Sequence, residues 1–158
     1  MSLTNLYQHL NEKKFKILTI SSAFLADITA VLYVYLLLLN EDRFNSTFAV
    51  SKKIIESANP KLKGMIDKNF IQELWGVLLM TTLTMLAIYI VFHIIIYFLY
   101  FKGKKFARGY LVFYAWCVGV FYTLYGLMNL SNANVLIAIP GLLMLYVALG
   151  FNQKMKAE

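Results

Sequence analysis

Long apolar runs alternate with short polar segments along this chain. Four of these runs, at residues 17–39, 74–101, 107–130 and 133–151, are long enough to cross a bilayer, because about 20 helical residues span about 30 Å of hydrocarbon. The runs are continuous rather than alternating, and an open strand in lipid would leave backbone groups unpaired. The pattern predicts an all-α fold, an integral membrane four-helix bundle that forms one transmembrane domain over residues 1–158.

A polar segment at residues 40–73 separates the first two runs. Within it, Phe44, Phe48, Ile55 and Ala58 recur on one helical face, and an Asn-Pro dipeptide ends the pattern. We therefore expect an extramembrane amphipathic helix in this outer-side loop between the first and second spans.

Basic residues cluster at one end of the predicted bundle. They precede the first run, fill the turn between the second and third, and follow the fourth: Lys13, Lys14, Lys16, Lys102, Lys104, Lys105, Arg108, Lys154 and Lys156. By the positive-inside rule, both termini are predicted to be cytoplasmic. Residues 1–16 form either a helix in the cytoplasmic interface or the frayed start of the first span. Residue usage rich in Lys, Asn, Ile, Tyr and Phe favours a bacterial inner membrane.

Composition supports this class of protein and excludes others. The chain is 60% hydrophobic and 15% charged, whereas a soluble domain has about 25% charged residues. The net charge of +7 lies at the edges of apolar runs, which indicates topology signals rather than nucleic-acid binding. With Cys117 as the single cysteine and His9 and His93 as the two histidines, we predict no disulfide, no metal and no cofactor.

Asp27 interrupts the first run near its middle, in the stretch "AFLADITAVL". A carboxylate at the centre of a spanning helix costs about 2.5–3.5 kcal/mol on insertion scales, so such residues face the bundle interior and are paired, protonated or functional. His93 is the candidate partner. It lies about 13 Å along its helix from Lys102, and Asp27 lies about 16 Å from Lys16. The pair is predicted to lie at one depth.

Three roles for this candidate intramembrane polar pair remain open. A carboxylate beside an imidazole can share a proton, which makes a proton relay or a pH-sensitive gate possible. A buried Asp with a His can also simply fix how helices rotate against one another, or contact another subunit. Three deep tyrosines are candidates for a polar lining or for core packing: Tyr89, Tyr114 and Tyr122. Tyrosines nearer the helix ends, such as Tyr100 and Tyr110, are interpreted as belt residues at headgroup level.

Small residues predict where helices approach closely. They recur at intervals that place them on one helix face, on the first and third spans: Ser22, Ala26, Ala30, Ala115, Gly119 and Gly126. In lipid such faces allow backbones to pack together. Pro140 predicts a kink in the fourth span.

The sequence names no reaction, so we expect a protein without catalytic residues. The first hypothesis is a non-enzymatic accessory or packing subunit, which associates through its small-residue faces as a homo-oligomer or within a larger membrane complex. The alternative is a small homo-oligomeric channel or transporter in which Asp27 and His93 handle protons or cations. Few polar interior positions make a poor pore within one protomer, because conduction needs a wet lining.

Overall fold

The computed structural model describes residues 10–37, 39–62, 64, 66–128 and 132–155. Over these residues the protein is all-α, with five α-helices: α1 (Glu12–Leu37), α2 (Glu41–Ala58), α3 (Lys68–Phe101), α4 (Lys105–Met128) and α5 (Asn132–Met155). A short 3₁₀ turn, Pro60–Leu62, follows α2.

Polar side chains define where three of the helices begin. The backbone N–H groups of Lys14, Arg43 and Phe70 donate to side-chain oxygens of Asn11, Asn40 and Asp67, at 2.8, 3.0 and 2.8 Å respectively. Each of these Asn or Asp residues satisfies a donor that the first helical turn leaves without an intrahelical acceptor. The observed starts of α1, α2 and α3 therefore have a local chemical cause in the sequence.

A glycine ends α3 and turns the chain into α4. Gly103 has a φ of +76°, which residues with a side chain rarely adopt. Its N–H donates to the carbonyl of Tyr100 at 2.9 Å, and that of Lys104 donates to Leu99 at 3.0 Å. This pair of bonds is the Schellman motif, so the basic turn between these helices is tight.

Among the described residues, three helices are long and apolar enough to cross a membrane by length and composition: Glu12–Leu36, Lys68–Phe101 and Lys105–Met128. The fourth predicted span corresponds to a shorter apolar stretch, Leu136–Asn152, within α5. The structure thus confirms helices at all four apolar runs, while the length criterion is met by three. The interfacial prediction for residues 1–16 falls largely on residues 1–9, which lie outside the described residues.

The described chain divides into two compact units, residues 31–90 and residues 1–30 with 91–158. In the unit of residues 31–90, α2 occupies the place predicted for the amphipathic helix. The ring of Phe44 lies 5.1 Å from that of Trp75 and 5.7 Å from that of Phe48. The Lys52 ammonium donates to the Ile66 carbonyl at 2.5 Å. Aromatic packing and this bond hold α2 within its unit.

The other unit contains the buried core. An edge-to-face pair, Phe15 and Phe151, has ring centroids 5.2 Å apart, and Tyr100 packs on Phe151 at 6.0 Å. Small and aliphatic side chains from four helices complete the core, among them Ala23, Ile96, Leu111, Met144 and Val147.

Helices α4 and α5 approach closely within this unit. A Cβ added at Gly119 would lie 2.9 Å from the backbone nitrogen of Leu145, and one at Gly141 would lie 2.6 Å from that of Thr123. The two contacts are one helical turn apart on each helix and run in opposite directions. They define an antiparallel pair whose register leaves no space for side chains at either glycine.

Candidate functional site

Three helices place a polar cluster around Asp27 in the unit of residues 1–30 and 91–158. We call this cluster, formed by Asp27, His93, Tyr97, Tyr110 and Tyr114, the aspartate network. Asp27 projects from α1, His93 and Tyr97 from α3, and the other two tyrosines from α4. Asp27 is 7% exposed and His93 is 2% exposed, so both ionisable groups are inside the protein.

The Asp27 carboxylate is bonded through both of its oxygens. Its Oδ1 lies 2.8 Å from His93 Nδ1 and accepts a hydrogen bond from the Tyr114 hydroxyl at 2.5 Å. Its Oδ2 accepts a hydrogen bond from the Tyr97 hydroxyl. A carboxylate offers about four lone-pair positions, so these three partners fill most of its capacity. Bonds to a charged acceptor are stronger than neutral ones, which offsets part of the cost of burying the carboxylate.

His93 extends the aspartate network on its other side. Its Nε2 lies 2.6 Å from the hydroxyl oxygen of Tyr110, while Nδ1 contacts the carboxylate. The His93 ring also packs edge-on against Tyr114, with centroids 4.9 Å apart. The imidazole therefore bridges a carboxylate and a phenol, and both of its nitrogens have a partner.

The network can hold either of two proton counts without breaking a contact. With Asp27 ionised and His93 neutral, Nδ1–H donates to the carboxylate and Nε2 accepts from the Tyr110 hydroxyl, for a net charge of −1. One proton added at Nε2 makes the network neutral, whether the proton between His93 and Asp27 then lies on Nδ1 or on Oδ1. In both neutral arrangements Nε2 carries a hydrogen and Tyr110 must accept it.

The other two tyrosines predicted as polar lining, Tyr122 and Tyr89, belong to different units of the chain. The Tyr122 hydroxyl lies 3.4 Å from the backbone carbonyl of Ala26, next to Asp27 in sequence. Tyr89 belongs to the unit of residues 31–90. Among the three predicted lining tyrosines, Tyr114 donates its hydroxyl hydrogen to the carboxylate.

Two members of the network were not among the predicted lining residues. Tyr110 was interpreted as a headgroup-level belt residue, and that interpretation is wrong, because its hydroxyl binds His93. The position of its Cα near a helix end does not give the depth of its hydroxyl, because the phenol carries that oxygen well away from the backbone. The spacing of His93 and Tyr97, four residues apart on one helix face, was the available signal for Tyr97.

Most of the predicted small-residue positions lie inside this unit. Ser22, Ala26 and Ala115 are buried, as are the glycines at 119 and 126, and Ala30 is half-buried. Gly119 faces Leu145 of α5. The faces that we expected to contact other subunits are therefore engaged, at these positions, in contacts within the chain.

Pro140 lies inside α5, and the next residue, Gly141, packs against the buried hydroxyl of Thr123. Thr123 is 8% exposed, and within the described part of the chain its Oγ1 has no hydrogen-bond partner. A Cβ at Gly141 would lie 2.7 Å from this oxygen, so the space beside it is closed. The kink predicted at Pro140 remains a prediction.

Comparison with known proteins adds no functional assignment. Neither a protein-family model, nor a curated protein, nor a solved structure matches this chain. Among the described residues, no three side chains of His, Cys, Asp or Glu are grouped where they could hold a metal ion. The carboxylate, imidazole and phenol groups of the aspartate network can form hydrogen bonds and exchange protons.

Proposed function

We propose that this chain is a small proton-translocating membrane protein, and that the aspartate network is the site where the proton is held. The observation that carries the proposal is the Asp27–His93 contact of 2.8 Å between two buried side chains. Ionisable residues are rare within membrane spans, and those that occur there often mark ion and proton pathways. Here the carboxylate is joined to the side chain whose ordinary titration range is nearest physiological pH.

The cost of the site supports a functional role over a purely structural one. A carboxylate and an imidazole are expensive to place in hydrocarbon, and two hydrophobic side chains of similar volume would pack three helices at lower cost. Interhelical hydrogen bonds in membranes contribute only about 0.6 kcal/mol each on average. Packing alone therefore gives a weak reason to keep this pair.

The proposed setting is a bilayer crossed by α1, α3, α4 and α5, with both termini on the cytoplasmic side. Large apolar side chains are exposed along the candidate spans, among them Phe24, Val77, Met85, Phe113 and Phe121. Lipid is the solvent that suits such surfaces. Because one protomer has few polar interior positions, the proposed translocating species is a homo-oligomer.

Proton flux in liposomes tests the proposal. Purified protein is reconstituted with a pH-sensitive dye inside, and a potassium diffusion potential drives protons inward. We expect a flux above that of empty liposomes. We expect Asp27→Asn to abolish it, because an amide does not take up and release a proton at physiological pH. Asp42→Asn is the matched control, since Asp42 lies exposed in the first turn of α2.

Two outcomes would contradict the proposal: wild-type flux no greater than that of empty liposomes, or flux that Asp27→Asn leaves unchanged. Either would favour the accessory-subunit hypothesis, in which the aspartate network only fixes helix packing. That hypothesis predicts recovery of a partner protein by cross-linking in native membranes.

A further inference from the structure

Tyr110 occupies a different place in the aspartate network from the other two tyrosines. Tyr97 and Tyr114 donate to Asp27, whereas the Tyr110 hydroxyl contacts His93 Nε2 at 2.6 Å. Asp27, His93 and Tyr114 are buried, while Tyr97 and Tyr110 are half-buried. Tyr97 and Tyr110 are therefore the more exposed members of the network, and we consider these two phenols as the points at which a proton enters.

The chemistry of the imidazole favours the route through Tyr110. With the network unprotonated, Nδ1 carries its hydrogen toward the carboxylate, so Nε2 is the basic nitrogen that is ready to accept a proton. The neighbour of that nitrogen is the Tyr110 hydroxyl.

We infer that Tyr110 is the relay through which the proton enters the Asp27–His93 pair. This inference rests on the function proposed above. In this step, the Tyr110 O–H bond breaks as its proton moves to Nε2, and the phenol oxygen takes a replacement proton from hydronium, which leaves water. The phenol is neutral before and after, and its remaining hydrogen points away from the imidazole.

The relay also explains why the hydroxyl, rather than the ring, matters at this position. A hydroxyl can both donate and accept, so it can face a bare Nε2 in one proton count and an Nε2–H in the other. Phenylalanine can do neither. Its ring would nevertheless retain the edge-on contact with Phe92 at 5.2 Å and the stacked contact with Tyr114 at 5.9 Å.

The test compares proton flux in liposomes for three tyrosine-to-phenylalanine variants. Tyr110→Phe is expected to lower the flux by about 100-fold, the lower end of what a positioned proton-transfer group contributes. Tyr97→Phe is expected to lower the flux less than Tyr110→Phe, since it removes one donor to Asp27 and no hydrogen bond to the imidazole nitrogens. Tyr35→Phe is the matched control, because that tyrosine is 62% exposed and outside the network.

A second readout separates a relay from a structural role. His9 is replaced by Gln so that His93 is the only imidazole, and its nitrogens are followed by ¹⁵N NMR in bilayers. Tyr110→Phe is expected to change the Nε2 resonance and to leave the Nδ1 resonance near its wild-type position. A variant that had lost its fold would change both, and its thermal unfolding would show the loss independently.

Failure of this inference differs from failure of the proposed function. If wild type conducts and Tyr110→Phe conducts as well as Tyr35→Phe, the relay is wrong while the site remains. If Tyr97→Phe abolishes flux and Tyr110→Phe does not, the proton enters through the carboxylate instead. If wild type does not conduct, the proposed function itself is contradicted.

Discussion

At the scale of single residues, the aspartate network depends on where polar atoms lie rather than on where residues occur along a helix. Counting residues from the basic ends placed Asp27 and His93 at nearly the same depth, and their side chains are in contact. That inference succeeded because the rise per residue of a helix is fixed. The direction in which a side chain points is not fixed by that rise. The position of Tyr110 near a helix end therefore did not show where its hydroxyl lies.

Residue spacing also did not show which tyrosines donate hydrogen bonds to Asp27. Tyr114 was expected as a lining or core residue, but nothing in its local sequence distinguishes its hydroxyl from that of Tyr122. The first binds the carboxylate, and the second lies near a backbone carbonyl. Helix rotation and crossing decide between them, and both depend on long-range packing.

The unpartnered hydroxyl of Thr123 gives a prediction at this scale. A buried polar group without a hydrogen bond costs about 1–3 kcal/mol, so Thr123→Val should raise the free energy of unfolding by about 1 kcal/mol at nearly constant shape. Thr19→Val is the opposite control. Its buried hydroxyl donates to the Phe15 carbonyl at 2.9 Å, so its loss should be destabilising.

Unfolding of both threonine variants can be followed in mild detergent by titration with a denaturing detergent. Opposite signs for the two variants are expected. If Thr123→Val is as destabilising as Thr19→Val, the Thr123 hydroxyl is not an unsatisfied group.

At the scale of helices, local sequence accounts well for where elements begin and end. Asn11, Asn40 and Asp67 cap three helices, and Gly103 closes α3. These signals act within a few residues, so a single sequence shows them. The partner of each small-residue face cannot be found in this way. A spacing of four residues identifies a face that can pack, but it does not show which element packs on it.

Contact between α4 and α5 gives the prediction for this scale. In Gly141→Ala the new Cβ would lie 2.6 Å from a backbone nitrogen of α4, which cannot move without moving the helix. The variant should lose about 1–3 kcal/mol of stability, as over-packed cores do. Gly109→Ala is the matched control on α4, since nothing lies within 4 Å of its added Cβ.

Thermal unfolding of the two glycine variants provides the measurement. Gly109→Ala should be neutral or slightly stabilising, because alanine costs less conformational entropy than glycine in a helix. Equal effects of the two substitutions would show that α4 and α5 are not in close contact at Gly141.

At the scale of the whole molecule, composition and hydropathy predicted the fold class, since about 20 consecutive apolar residues have few alternatives to a membrane helix. The number of spans is less directly fixed. Three helices meet the length criterion, and α5 contains a shorter apolar stretch.

Topology is the prediction at this scale. With Cys117 replaced by Ser, single cysteines at Asn45 and Lys104 are tested against a membrane-impermeant maleimide added outside intact cells. We expect labelling at position 45 and protection at position 104, because the basic turn should face the cytoplasm. A tag after residue 158 should also be protected if α5 spans. Labelling at position 104, or of the tag, would contradict the four-span arrangement.

The central claim is that a proton crosses the membrane by way of Asp27. Its most direct test is the initial rate of potential-driven proton flux in liposomes that contain equal amounts of wild type, Asp27→Asn or Asp42→Asn protein. We expect matching rates for wild type and Asp42→Asn. We expect liposomes with Asp27→Asn protein to have the rate of empty liposomes. Equal rates for all three proteins would contradict this claim.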